Sequence, residues 1–168
     1  MSLHVRAETP ADGRAVRMIH ESAFGTPLEA HLVADLRKRA HPLVSLVAEQ
    51  DGGVVGHILF SPVVLPGHPG LKMMGLAPMA VLPERQREGI GSALVRSGLD
   101  ECRTLGADAV VVLGHPEYYP RFGFEPAARF GLSCKYDAPP EAFMALELAP
   151  GVLDDASGEV QYHPAFDE

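Results

Sequence analysis

Apolar residues recur with helical spacing over the first forty positions. Val16 and Ile19 follow Thr9-Pro10-Ala11-Asp12, and Leu32, Val33 and Leu36 follow Thr26-Pro27-Leu28-Glu29. Both lead-ins place Thr at a cap, Pro at the first helical position and an acid at the third, an arrangement that satisfies the unpaired amides of a starting helix. The pattern predicts one helix running to about His20 or Glu21 and a second ending in the basic run Arg37-Lys38-Arg39, where cations suit the helix C-terminus. Ahead of them, Leu3 to Ala7 alternates like a short strand.

From Leu43 the periodicity changes. Leu43 to Glu49 is β-branched and aliphatic, Asp51-Gly52-Gly53 is a hairpin turn, Val54 to Leu65 returns, and Leu71 to Leu82 adds a third strand after the breaker Pro66-Gly67-His68-Pro69-Gly70. Pro78 lacks an amide for the ladder, so a bulge or splayed edge is expected there. A helix follows with Leu94, Val95, Leu99, Cys102 and Leu105 inward and Gly106 as its stop; Ala109 to Leu113 then reads as a buried parallel strand. Pro116 to Phe122 suggests a short helix, and Leu132 to Tyr136 and Phe143 to Leu148 suggest strands. Residues 150 to 168 show little periodicity.

The chain has 168 residues, enough for one domain with its own core; the absence of repeats or linkers gives no reason to divide it. The net charge of −8 argues against a sequence-independent nucleic-acid binder, and no apolar run is long enough to span a bilayer. The acidic excess is local. Residues 1 to 136 carry equal numbers of both signs, whereas residues 137 to 168 hold eight acids and no Lys or Arg, which is either a solvated edge or an acidic rim beside a site for a cationic amine. Cys102 and Cys134, with no CxxC spacing, read as reduced packing residues of a cytoplasmic protein. The eight histidines show no HxH or HExxH spacing, so no metal is expected.

Chemistry concentrates in Met79-Ala80-Val81-Leu82-Pro83-Glu84-Arg85-Gln86-Arg87-Glu88-Gly89-Ile90-Gly91-Ser92. A strand ends, an arginine-bearing turn follows, and glycines open a long helix. Free amides at a helix start and the positive end of its dipole bind anions, and glycines let a phosphate approach closely. The nucleoside-triphosphate loop is excluded because no GKS or GKT is present, and the dinucleotide fingerprint because Leu94 stands at its third glycine.

The spacing Gln86-x-x-Gly89-x-Gly91, the order of elements and the later Tyr119-Pro120-Arg121-Phe122-Gly123-Phe124 together resemble the GCN5-related N-acetyltransferase (GNAT) family. The runs Gly75-Leu76-Ala77-Pro78-Met79-Ala80-Val81 and Gly114-His115-Pro116-Glu117-Tyr118-Tyr119 are similar more narrowly to a bacterial, YhbS-like subgroup. The resemblance covers about residues 3 to 148, leaving 149 to 168 as an acidic C-terminal segment of the same single domain. It implies an α/β (α+β) GNAT fold, with one mixed, mostly antiparallel central sheet, splayed at the cofactor cleft and flanked by helices. The activity it implies is direct acetyl transfer from acetyl-coenzyme A to a primary amine of a small molecule or peptide. A non-catalytic acyl-coenzyme A sensor or partner module on the same fold is the alternative, and a homodimer through the late strands is compatible with either.

Carried to this chain, the resemblance implies pantetheine pairing with the backbone of Met79 and Val81, and an amide near Met79 or Ala80 to hold the developing oxyanion. It implies a coenzyme-binding loop from Gln86 through Ile90 to Ser92 in which the backbone amides of Arg87, Glu88, Gly89, Gly91 and Ser92 face the pyrophosphate, with Arg85 and Arg87 available for phosphate charge, and Tyr119 as the proton donor to the departing thiolate. Many members place an Asn after the strand ending near Leu113. This chain has no Asn; Gly114 and His115 stand there, making His115 a second candidate for the chemistry. The strand before the glycine loop has no acid to serve as base. His57, His115, Glu21 and Glu84 remain candidates, beside a water chain with no dedicated base; a structural histidine is the simpler account of His57.

Overall fold

The computed structural model describes residues 2–168. The alternating segment at the start forms β1 (His4–Ala7), which pairs antiparallel with β2 (Val44–Gln50). Between them, α1 (Gly13–Phe24) and α2 (Leu28–Arg39) pack Val16, Val33 and Leu36 onto one face of the sheet, against Val47 and Leu59. The Thr9 lead-in acts as expected: its amide and hydroxyl donate to the Asp12 carboxylate at 2.7 and 3.1 Å. Pro10–Asp12 is a 3₁₀ turn, however, and α1 continues past Glu21 until Gly25, at φ 73°, ends it.

Asp51 and Gly52, both at positive φ, turn β2 into β3 (Gly53–Val63), and β4 (Met73–Val81) lies antiparallel to β3. The register shifts between Ile58 and Phe60, opposite Ala77-Pro78, where the proline has no amide to offer. Next, α3 (Ile90–Thr104) buries Leu94, Val95, Leu99 and Cys102 on the opposite face. Leu105, expected inward, is 41% exposed. The helix ends at Thr104, so the three-residue step from Cys102 that would turn Leu105 inward is never completed.

The apolar run is β5 (Ala109–Leu113), parallel to β4. A 3₁₀ turn at Tyr119–Phe122, in place of the short helix over 116 to 122, leads to the two-residue β6 (Glu125–Pro126). β7 (Leu132–Cys134), shorter than the expected strand to Tyr136, leaves the main sheet, and β8 (Phe143–Glu147) returns antiparallel to β5. The main sheet has seven strands in the order β1-β2-β3-β4-β5-β8-β6. The acidic tail contributes β9 (Gly158–Val160), parallel to β7 in a second, two-stranded sheet, and it buries Leu153, Val160 and Ala165. Its apolar residues are too irregularly spaced to follow either a helical or a strand period, so no pattern announces them.

One feature of the topology sets the site. β4 and β5 pair only from Met73/Ala109 to Gly75/Val111. Beyond that point the rest of β4 has lost its neighbour on the β5 side, while β5 stays paired with β8 to Leu113. Among the described residues no helix is long and apolar enough to cross a membrane, and no group of His, Cys, Asp and Glu could hold a metal.

Candidate active site

The free edge of β4 runs directly into the start of α3. Pro83–Arg85 forms a 3₁₀ turn, Gln86 donates its side-chain amide to the Val81 carbonyl at 3.1 Å, and Gly89 caps α3 at φ 84°. That left-handed conformation is readily adopted only by glycine, and the direction in which a Cβ would project is open. Ala93 donates to the Gly89 carbonyl at 3.1 Å, so the amides of Ile90, Gly91 and Ser92 precede the first intrahelical bond and have no partner within the helix. They border a groove of about 290 Å³ whose lining includes Gln86, Arg87, Gly91, Ser92, Tyr118 and Arg121. Free amides, the positive helix end and arginines make this a place for a phosphate-bearing ligand.

The two arginines of the turn are not equivalent. Arg85 donates to the Gln50 side chain at 2.9 Å and pairs with Asp51 at 3.5 Å, so it braces the β2–β3 turn while bordering the groove. Arg87 sits at φ 67°, an uncommon conformation for a residue with a side chain. Glu84 and Glu88 are exposed.

Across the groove, Tyr118 exchanges a 2.9 Å hydrogen bond with Ser92 in the first turn of α3. The Arg121 guanidinium lies 4.5 Å from the Tyr118 ring centre, and Arg121 Nε donates to the Tyr118 carbonyl at 2.9 Å. The sequence pattern assigns neither residue a site role; the three-residue step between them on a tight turn is the one signal it carries. Tyr119 points the other way, into the apolar cluster shared with Phe124, and is 8% exposed. Its ring lies against Gly114, where a Cβ would come within 2.6 Å of it, so the glycine makes room for the tyrosine. Burial, and next the neighbouring Tyr118, push the Tyr119 phenol up to about 12, so it holds its proton at neutral pH.

The structure thus gathers Gln86, Arg87, Gly89, Ile90, Gly91 and Ser92 around one groove. Met79 packs against the apolar cluster that contains Tyr119, and Ala80 and Val81 are buried on the β4 edge. His115 lies apart: its side chain is 83% exposed, with Nδ1 3.8 Å from the Glu117 carboxylate. Glu21 is exposed on α1. His57 is fully buried on the α1 face of the sheet, hydrogen-bonded to Ser45 and His20. Cys102 is buried and its thiol is pushed up to about 12 by burial, as suits a packing residue.

Residues 4–127 match the acetyltransferase (GNAT) domain family. The chain is 39% identical to the uncharacterized N-acetyltransferase YhbS of Escherichia coli K12 over 96% of its own length and 97% of that protein's. It superposes on the crystal structure of YhbS from E. coli in complex with CoA with a TM-score of 0.92 at 37% identity, covering 99% of this chain and 92% of that one. A GNAT acetyltransferase from Brucella melitensis, in complex with acetyl-CoA, superposes with a TM-score of 0.79 at 40% identity, covering 99% of each chain. The forked sheet, the open helix start and these likenesses agree, and the chain belongs to the GNAT family of N-acetyltransferases.

Proposed function

We propose that the protein transfers an acetyl group from acetyl-coenzyme A directly to a primary amine of a small molecule or peptide. The pantetheine arm lies along the free edge of β4, and the pyrophosphate rests on the amides that open α3. The observation that carries this placement is the fork itself. β4 loses its β5 partner after Gly75, and the unpaired edge leads straight to three amides with no partner within their helix. An extended chain ending in a diphosphate matches both parts.

In this reading the backbone of Met79 and Val81 pairs with the pantetheine amides, and an amide near Met79 or Ala80 holds the oxyanion that develops as the amine attacks. Arg87 adds charge at the phosphates; Arg85 contributes less, being tied to Gln50 and Asp51. The new C–N bond forms as the C–S bond breaks. Tyr119, protonated at neutral pH, gives its proton to the departing thiolate. His115 stands at the rim and meets coenzyme or acceptor only there. A cytoplasmic setting fits the two unpaired thiols.

Calorimetry with acetyl-coenzyme A, followed by a thiol-release assay over polyamines, amino acids, aminoglycosides and peptide amines, tests the reading. Saturable binding with amine-dependent thiol release is the expected result. Binding without release from any amine would instead identify a non-catalytic acyl-coenzyme A module, and no binding would remove the groove's assignment altogether.

A further inference from the structure

The wall of the groove opposite the β4 edge carries a guanidinium that is held in place and has no carboxylate beside it. Arg121, on the turn Tyr119–Phe122, borders the groove together with Arg85 and Arg87 of the turn before α3. Arg121 Nε donates to the Tyr118 carbonyl at 2.9 Å, and the guanidinium carbon lies 4.5 Å from the centre of the Tyr118 ring. Tyr118 is fixed at its other end. Its hydroxyl shares a 2.9 Å hydrogen bond with Ser92 and stands 3.4 Å from where a Cβ on Gly91 would lie. The cation is therefore tied, through one tyrosine ring, to two of the residues whose free amides open α3.

The three arginines of the groove are engaged differently. Arg85 is bonded to the Gln50 side chain and paired with Asp51. Arg87 stands two residues before the cap Gly89, next to the free amides, where a diphosphate would rest. Arg121 makes no ion pair among the described residues, and beyond its Nε bond the rest of its fork has no partner there. Its side chain is nonetheless ordered by the stacking and by that bond, so less freedom remains to be lost when an anion arrives. Arg96 on α3 offers a contrast: it also lies over an aromatic ring, Phe122 at 5.2 Å, but it does not border the groove.

Coenzyme A carries more charge than the amides of α3 can serve. Besides its diphosphate it bears a monoester phosphate on the 3′ oxygen of the ribose, at the end remote from the thioester, and such a group holds a charge near −2 at neutral pH. With pantetheine on the free edge of β4 and the diphosphate on the amides of Ile90, Gly91 and Ser92, the nucleotide end falls against the wall made by Tyr118 and Arg121. On the Arg85 side the Asp51 carboxylate already answers the cation and would repel a further anion. The 3′-phosphate hangs one ribose away from the diphosphate, and the Arg121 fork stands one tyrosine ring away from the amides. A planar guanidinium meets two phosphate oxygens at once, which a point cation does not.

Resting on the acetyltransferase reading above, we propose that Arg121 determines which acetyl donor is accepted: its fork binds the 3′-phosphate of the coenzyme, so the protein selects coenzyme A over carriers of the same pantetheine arm that lack this phosphate. Tyr118 and Ser92 are positioning residues, the first as the platform under the guanidinium and the second as the anchor of that platform to α3. The contact is remote from the thioester and the acceptor, so it acts on donor affinity and leaves the chemical step alone. Arg121 is exposed, which keeps its contribution modest and makes it fall with added salt.

Calorimetry with coenzyme A and with dephospho-coenzyme A, which differ only in that phosphate, tests the assignment. The wild type is expected to bind coenzyme A about tenfold more tightly, the yield of one exposed charge-assisted contact. In R121Q the affinity for coenzyme A should weaken about tenfold while that for dephospho-coenzyme A stays within about twofold of wild type, so the preference disappears. R96Q, which removes a nearby cation that does not border the groove, should keep the preference. Phosphorus-31 NMR of the coenzyme A complex reads the contact directly. The 3′-phosphate should lose its second proton at lower pH in the wild-type complex than in free coenzyme, and this displacement should shrink in R121Q. Equal weakening toward both ligands in R121Q would make the arginine a structural or diphosphate residue and overturn the proposal. So would a wild type that does not distinguish the two ligands, an R121Q that still does, or an R96Q that loses the preference as fully as R121Q. Failure of the wild type to bind either coenzyme would instead strike at the acetyltransferase reading and take this inference with it.

Discussion

The two faces of the sheet assemble their polar groups from different materials. On the α3 face, the free polar groups are the backbone amides of one contiguous stretch, Ile90 to Ser92, and they border an open groove. On the α1 face, polar side chains from the segment after β1 and from α1, α2, β2 and β3 form a chain running from the half-buried Arg37, Glu8 and Ser45 to the buried His57 and His20. Backbone amides at a helix start are rigid and tolerate water, which suits a charged, hydrated diphosphate. Buried side chains can have their protonation states fixed by one another. The polar groups of the α3 face are therefore local and exposed, and those of the α1 face are distributed along the sequence and buried only toward His57 and His20.

The largest effect that would sharpen this contrast is at Tyr119. In Tyr119→Phe, kcat should fall about 100-fold while the dissociation constant of acetyl-coenzyme A stays within about twofold, because the hydroxyl is needed only once the thiolate departs. An unchanged kcat with a true acceptor would remove the tyrosine from the mechanism. Next is the groove. Gly89→Val forces a β-branched residue toward a conformation it avoids, although space is open around it. We expect about 30-fold weaker acetyl-coenzyme A binding by calorimetry, with the sheet intact by circular dichroism; unchanged affinity would contradict the amide site.

Acid stability probes the buried face alone. Burial first, then the charges of His57 and Arg37, lower His20 to about 3 from 6.5, Glu8 opposing. Between those values the unfolded chain binds a proton that the folded chain does not, so stability is present above pH 6.5 and is lost as the pH falls through this window. Glu8, lowered from 4.5 to about 2, has the same sign at lower pH. In H20Q the pH slope of unfolding free energy, from urea midpoints at successive pH values, should be shallower by up to about 1.4 kcal/mol per pH unit. An identical slope would mean that His20 titrates as freely as in the unfolded chain. The smallest effect is at Leu105: being exposed, L105Q should change stability by less than about 0.5 kcal/mol, and a larger loss would place it in the core after all.

The difference between the faces also explains what could be read in advance. The strands from Val44 to Leu113, the bulge at Ala77-Pro78 and the helix start at Gly89 follow from period, breakers and cap chemistry within short windows. The groove needed little more, because its amides belong to consecutive residues. Tyr118 and Arg121 escaped the reading because Tyr119 matched the family spacing, and only the fold shows that the two tyrosines point to opposite walls. β9 escaped because three residues with an irregular apolar pattern carry no periodic signal.

The sequence by itself determined the order of elements from β1 to β5, the glycine-opened helix and the family, since each is written in adjacent or regularly spaced residues. Only the tertiary structure decided that β4 and β5 part after Gly75 and Val111, that Leu105 turns outward, and that Glu8, His20, Arg37, Ser45 and His57 form one chain. Such a chain depends on contacts between residues as many as 37 positions apart, and no local period encodes a distance of that kind.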